Sequence, residues 1–302
     1  MNTAMSRVTQ RSNGQQAILG LQASQRRLAV LQAQMSSGKA ITKPSDDPNA
    51  TFSALQFRGE QARFTQWSRN AADGLSRMTV VDGQLQSMTQ QVIRVKSLIL
   101  QGQSTATNVA LEREAMAKEV DALKGSLLSS ANFTYLGRPI FGGTTSGNVS
   151  FDEGSGNYVG DTNGVTRSGG PQATVRVDVN GAEAFTTDGT TNGTTLFQTL
   201  TSIANHLRND PPGLAVDKAN LDAILDRMST AQAQIGAATN RLQNLKSVAD
   251  AHNLALAQSI SGVEDTDLTK TIVDLTTQQT SYQAALQATA KIVQPSLMDF
   301  LR

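Results

Sequence analysis

The sequence predicts a mainly α-helical protein with an inserted β-domain, in which the N- and C-terminal segments form a long antiparallel α-helical coiled-coil rod. Three observations carry this reading. Apolar residues recur at alternating 3-4 spacing towards both ends of the 302-residue chain. That period is absent from about residue 132 to 195. Thirteen of the 24 Gly lie between Gly137 and Gly193, among many Thr, Asn and Asp.

The elements follow in order. Ala17, Leu21, Ser24, Leu28, Leu31 and Met35 form a first stripe. Met78, Val81, Leu85, Met88, Val92, Val95 and Ile99 form a second. A third runs through Leu221, Ile224, Met228, Ala231, Ile235, Ala238, Leu242, Leu245, Ala249, His252 and Leu256. The last comprises Leu268, Ile272, Leu275, Gln279, Tyr282, Leu286, Thr289 and Val293. A contact every 3.5 residues keeps one stripe facing a partner helix, which is the seam of a coiled coil. At 1.5 Å per residue the third stripe is about 54 Å long, too long for the inside of a compact domain. Ser24, Gln279 and Thr289 weaken the terminal seams, since an unbonded buried polar group costs roughly 1–3 kcal/mol. The terminal helices are therefore expected to be marginal alone and to order when many copies pack together.

The Gly-rich middle reads as a small β-domain rather than a flexible linker. Residues 174–179 alternate apolar and charged side chains and reach Asn180-Gly181, the signature of a strand entering a type I′ hairpin turn; Asn163-Gly164 reads as a second such turn. The expected segments are 1–35 (N-terminal arm), 36–131 (first half of a helical rod), 132–195 (β insertion), 196–262 (second half of the rod) and 263–302 (C-terminal arm).

Composition narrows the function. Charged residues are 17%, below the usual ~25%, and the net charge is +1, so nothing favours nucleic acid as a partner. The absence of Cys excludes disulfides, Cys–zinc sites and thiol nucleophiles. No continuous apolar run has the length of a secretory signal or a membrane span, so no membrane partner is expected. Residues 1–45 carry six basic residues and no acid, whereas 246–302 carry four basic residues and six acids, a bias suited to pairing of the two ends. His206 and His252 have no carboxylate at ligand spacing in the sequence, and His252 reads as a packed or edge residue. Glu264-Asp265-Thr266-Asp267 lacks calcium-loop spacing and reads as an acidic helix start. Phe57, Phe64 and Trp67 read as helix packing. No catalytic, metal-binding or cofactor-binding residues are expected, and no enzyme activity.

One loop, Ser36-Ser37-Gly38-Lys39-Ala40-Ile41-Thr42-Lys43-Pro44-Ser45-Asp46-Asp47-Pro48, is a stop, a turn and a restart. Gly38 ends the first helix; Asp47 N-caps the next, with Pro48 at its first position. This loop resembles the signature loop of the bacterial flagellin family. Ala131-Asn132-Phe133, 137–143, Tyr158-Val159-Gly160-Asp161, a strand over 177–185, Ala233-Gln234-Ile235-Gly236, Asn240-Arg241-Leu242 and the closing Ser296-Leu297-Met298-Asp299-Phe300-Leu301 resemble further segments of that family. The Lys-Pro-Ser-Asp-Asp-Pro form at 43–48 resembles its junction branch rather than filament-forming flagellins, which are the alternative; an unrelated coiled-coil adhesin is a more remote one.

The resemblance implies a structural adaptor, located outside the cell at the hook–filament junction and exported without a cleaved signal peptide. Its implied partners are copies of itself in a ring, an adjacent hook-associated protein on the hook side, flagellin on the filament side, and an export chaperone that binds the C-terminal helix. The residues assigned to assembly are Leu21, Leu28, Leu31, Leu268, Ile272, Leu275, Tyr282, Leu286 and Val293 in the seams, with Gly38, Pro44, Asp46, Asp47 and Pro48 in the signature loop. Many flagellins carry an Arg-Glu pair read by an animal innate receptor; the aligned stretch 93–98 has Lys96 and Ser97 instead.

Overall fold

The computed structural model describes residues 3–104 and 110–293, and the side chains of 15–104 and 110–290. Among the described residues the chain runs α1 Thr3–Ser37, α2 Pro48–Gln103, α3 Ala110–Ala131, β1 Thr134–Tyr135, β2 Arg138–Pro139, β3 Thr166–Ser168, β4 Thr174–Arg176, α4 Gly181–Phe185, α5 Leu196–Asn209, α6 Leu214–Glu264 and α7 Leu268–Val293. A 3-10 turn at Pro211–Gly213 precedes α6. The fold class is the predicted one: long antiparallel helices from the two ends of the chain, with short strands between them. Two compact units result, Met1–Ala62 with Asn253–Arg302, and Arg63–His252.

In the larger unit the second stripe is buried along its whole length, from Met78 to Ile99. The third is buried at Leu221, Ile224, Met228, Ala231, Ile235, Leu242 and Ala249, with Ala238 and Leu245 packed against the same core. The two helices run antiparallel. Phe64 stacks on His252, Ser68 bonds Asp250, Gly74 lies against Leu242, Lys96 pairs with Asp222, and Gly102 lies against Leu214. Each fully buried Leu, Ile, Val or Met contributes roughly 1.5–3 kcal/mol, so this double stripe is the main source of stability in the unit. α3 and α5 form a second antiparallel pair, stapled by Arg208 to Glu114 at 2.9 Å and Asp121 at 2.7 Å. Thr195 and Gln198 form a reciprocal capping box that fixes where α5 begins.

The middle segment is filled by aromatic rings. Phe141, Phe151, Phe185 and Phe197 are fully buried, and Phe151 meets Tyr158, Phe185 and Phe197 edge-on. These rings share one continuous core with the helices of the unit. Asn132 bolts the start of the segment in place: its Oδ1 accepts from the Ser150 and Phe151 amides at 2.8 Å, and its Nδ2 donates to the Phe151 carbonyl at 2.9 Å.

The turn chemistry differs from the expectation in two places. The partner of β4 is β3, which precedes it, with Arg167 opposite Val175 and the turn at 169–173. Asn180-Gly181 is therefore not a hairpin turn. Asn180 has φ −73, outside the left-handed region that type I′ demands, and it sits at the N-cap of α4. The strand expected over 177–185 does not form: β4 ends at Arg176, the Val177 amide still donates to the Val165 carbonyl at 2.7 Å, and the buried stretch beyond it leads into α4. Asn163-Gly164 lies in a connection where the Asn163 amide donates to Asp161 Oδ1, and Tyr158 pairs back to Phe151. The hairpin that does take left-handed residues is β1–β2, where Leu136 has φ 51 and Gly137 φ 75.

In the smaller unit α1 and α7 pair antiparallel. Leu21, Ser24, Leu28 and Leu31 are half-buried on the inner side of α1. On α7 the inner stripe is Thr271, Leu275, Gln278, Tyr282, Ala285 and Thr289. The expected stripe is thus displaced by one residue at Ile272, Gln279 and Leu286, and Leu268, Ile272 and Leu286 are exposed. A polar contact accompanies the shift: Gln278 Nε2 reaches Ser24 Oγ at 2.7 Å, satisfying the half-buried hydroxyl in the seam. Met35 is exposed, and the side chain of Val293 lies outside the described residues.

Truncating Leu85 to Ala should cost about 2–5 kcal/mol, read as a fall in the urea midpoint of the full chain; a change within error would show that the stripe is not the structural core. Leu136→Asn should add about 1 kcal/mol, because an Asn tolerates the left-handed turn position that Leu occupies under strain. The same urea titration checks it.

Candidate assembly interface

The signature loop is held by the linker between α6 and α7. Gly38, with φ +69, stops α1 by donating its amide to the Gln34 carbonyl at 2.9 Å. Lys39 then forms an antiparallel bridge with Asp265: the Ala40 amide donates to the Glu264 carbonyl at 2.6 Å and the Thr266 amide to the Gly38 carbonyl at 3.0 Å. Charge reinforces the backbone contact. Lys39 Nζ lies 2.6 Å from Asp265 Oδ1 and 3.5 Å from Glu264 Oε2, and Arg58 Nη2 reaches Glu264 Oε2 at 2.7 Å. The hydrogen bond to Asp265 holds the Lys39 ammonium above its usual pKa; the same bond, with one from Ser261, holds the Asp265 carboxyl below its own.

The rest of the loop is tied locally. Asp46 Oδ2 accepts from the Thr42 hydroxyl at 2.9 Å, the Lys43 amide at 2.9 Å and the Thr42 amide at 3.1 Å, which together lower its pKa. Asp47 Oδ1 accepts from the Ala50 amide at 2.9 Å and caps α2, with Pro48 at its first position. Pro44, Asp46, Asp47 and Pro48 are exposed, and Gly38 is half-buried. The loop is therefore a shaped surface in which both carboxylates are engaged in local hydrogen bonds.

The acidic run expected as a single helix start divides its labour. Glu264 ends α6 and receives Arg58, Asp265 receives Lys39, and Asp267 caps α7 through the Lys270 amide at 3.1 Å. Sequence reasoning missed the partner of the loop. The signal available was the basic bias before residue 45 against the acids at 264–267.

Large apolar side chains are exposed on all four helices that contribute to the smaller unit, Leu254 being the one at the end of α6. On α7 they are Leu268, Ile272, Val273 and Leu286; on α1, Ile18, Leu19, Val30 and Met35; at the start of α2, Phe52 is 70% exposed and Leu55 59%. These large apolar groups are left uncovered by the unit itself. Of the residues assigned to assembly, Leu21, Leu28, Leu31, Leu275 and Tyr282 lie on the inner sides of the α1–α7 pair, whereas Leu268, Ile272 and Leu286 are exposed.

Among the described residues no group of three or more His, Asp or Glu could hold a metal, and no helix is long and apolar enough to cross a membrane. His252 stacks on Phe64 with centroids 4.5 Å apart, and Trp67 meets Phe64 edge-on. Folding does bring a carboxylate to His206, which the sequence spacing hid: Asp217 Oδ2 lies 2.6 Å from Nδ1. The Ser202 hydroxyl, at 3.4 Å, shares that same nitrogen. A nucleophile–base–acid relay needs its two partners on different ring nitrogens, so this group clips α5 to α6 instead.

Comparisons with known proteins agree with this geometry. Flagellar hook-associated protein 3 of Escherichia coli K12 is 27% identical over 91% of this chain and 93% of its own length. The Salmonella typhimurium protein of the same name is 26% identical over 90% and 92%. A Bacillus subtilis flagellin is 24% identical over 89% and 90%. A solved structure from Vibrio parahaemolyticus, described as a putative flagellar hook-associated protein, has the same fold, with a TM-score of 0.67 at 18% identity, over 73% of this chain and 100% of that one. The bacterial flagellin N-terminal helical region matches residues 5–146 and the C-terminal helical region residues 219–301; spanning most of the chain between them, these matches show that the protein belongs to the bacterial flagellin family.

Proposed function

We propose that this protein is the structural adaptor of the flagellum that joins the hook to the flagellin filament. The observation that carries this reading is likeness to two hook-associated proteins 3 over nine-tenths of both chains. Flagellum is then its location and assembly its task; no reaction is assigned to it. The partners are further copies in a ring, a hook-associated protein on one side, flagellin on the other, and before export a chaperone on the C-terminal helix. Export needs no cleaved signal in this reading. The unpaired apolar residues of α1, α7 and the start of α2, together with the signature loop, support it as the surfaces those partners cover. An adaptor presents different surfaces to its two neighbours, so its contacts are heterologous and end after a limited layer.

The filament-forming alternative is favoured by one observation, the near full-length match to a Bacillus subtilis flagellin. Growth of the purified protein alone into long filaments would select it.

Two experiments test the adaptor. Leu286→Arg, on the exposed side of α7, should leave the monomer folded by circular dichroism yet block incorporation into the junction. Leu275→Arg should instead disrupt the α1–α7 pair itself, since a buried unpaired charge costs several kcal/mol. Cells lacking the protein should build hooks, fail to hold filaments and shed flagellin monomer into the medium; adding the purified protein and then flagellin should restore growth. Normal filaments in such cells, with no second gene copy, would reject the role.

A further inference from the structure

The middle segment contains three Asn-Gly pairs, at 163–164, 180–181 and 192–193, and the fold gives them unlike surroundings. Asn180 and Gly181 are buried. The Gly181 amide donates to the Phe141 carbonyl at 2.8 Å, and Gly181 lies against the Phe151 and Tyr158 rings. Asn192 is exposed, but the Gly193 amide donates to the Thr190 carbonyl at 3.4 Å, and Gly193 lies against the Asp188 carboxylate. Asn163 and Gly164 are both exposed. Among the described residues the Gly164 amide has no acceptor, and Gly164 lies against the Arg176 side chain. The Asn163 amide donates to Asp161 Oδ1 at 3.0 Å. Although burial pushes the Asp161 carboxyl up, hydrogen bonds from Thr144 and from the backbone and side chain of Asn163 hold it below its usual pKa.

An Asn followed by Gly can cyclise without an enzyme, because no Cβ shields the Gly nitrogen and its backbone turns freely. The step needs that nitrogen to give up its proton and reach the Asn side-chain carbon. A Gly amide that already donates inside the fold must first lose its hydrogen bond, and a buried one must also await local opening. A carboxylate beside the nitrogen opposes the amide anion, whereas a cation favours it. Arg176 shares its charge with Asp178 and Glu183, so the free Gly164 amide is the larger effect. We propose that Asn163 is a site of spontaneous deamidation in the folded protein, set apart from Asn180 by its exposure and from both other pairs by the free amide of Gly164. The Gly164 amide proton passes to solvent and the nitrogen bonds to Asn163 Cγ. The bond from Cγ to Nδ2 breaks, and ammonia leaves with a proton returned by solvent. Water then opens either carbonyl of the succinimide ring, giving Asp or isoAsp. The product places a new negative charge beside Asp161 and cancels the chain's net charge of +1. In the isoAsp form the backbone between Asp161 and β3 is also longer by a carbon.

Peptide mapping by mass spectrometry tests this on the full chain, kept folded at mildly alkaline pH and sampled over time. Asn163 should convert at least about tenfold faster than Asn180 and severalfold faster than Asn192, giving both Asp and isoAsp. In denaturant, where the three pairs lose their surroundings, the rates should converge. Conversion of Asn180 or Asn192 as fast as Asn163 in the folded chain would overturn the proposal, and so would an Asn163 that stays intact. A preference for Asn163 that persists unchanged in denaturant would also overturn it, since flanking sequence and not the fold would then set the rate.

Discussion

The apolar stripe of α2 from Met78 to Ile99 is buried residue by residue, and the stripe of α6 that runs antiparallel to it is buried over most of its length. Nearly every other feature of the larger unit is registered against this pair. The α3–α5 pair, the aromatic rings and the β3–β4 hairpin share its core. Asn70 and Asp73, on one side of α2, reach the Ser168 carbonyl at 2.9 Å and Arg167 Nε at 2.7 Å, so the hairpin is hung from the helix by polar contacts at helical spacing. Thin helical seams bury little area per residue. The rings at 141, 151, 185 and 197 supply the thicker core that the helices lack, and this explains how a chain with only 4% aromatic residues fills its middle segment.

The smaller unit obeys the same constraint with poorer material. Its α1–α7 seam includes Ser24 and Gln278, which satisfy one another, and few fully buried apolar side chains. Meanwhile its surface shows Phe52, Leu55, Ile272 and Val273 to solvent. A unit that keeps polar groups inside and apolar ones outside gains from burial only when something covers it. That imbalance fits a family whose members assemble. The loop from Gly38 to Pro48 is different in kind: its shape is fixed within the chain, by the Lys39–Asp265 bridge and by the three hydrogen bonds to Asp46, before any partner arrives.

Leu136 shows where local preference and structure part company. The β1–β2 turn places a leucine at left-handed φ with its side chain 82% exposed, so neither backbone nor burial rewards it. The Asn-Gly pairs at 163–164 and 180–181, read from the sequence as such turns, lie elsewhere. Asn180 starts a helix and Asn163 joins a loop organised by Asp161.

By itself the sequence determined the long helices, the interruption between them and the inner faces of α2 and α6. A 3-4 period is local information, written into each helix whatever it packs against. The loop caps at Gly38, Asp47 and Pro48 were legible for the same reason. Only the tertiary structure decided what depends on contacts between distant residues. The inner face of α7 follows Gln278 rather than Gln279, and Gln278 meets Ser24 on another helix. β4 pairs with β3 and ends at Arg176, and the buried stretch beyond it turns into α4 at Gly181. Lys39 meets Asp265, His206 meets Asp217, and Arg176 gathers Asp178 and Glu183, through charges and hydrogen bonds set by three-dimensional proximity, on which spacing along the chain is silent.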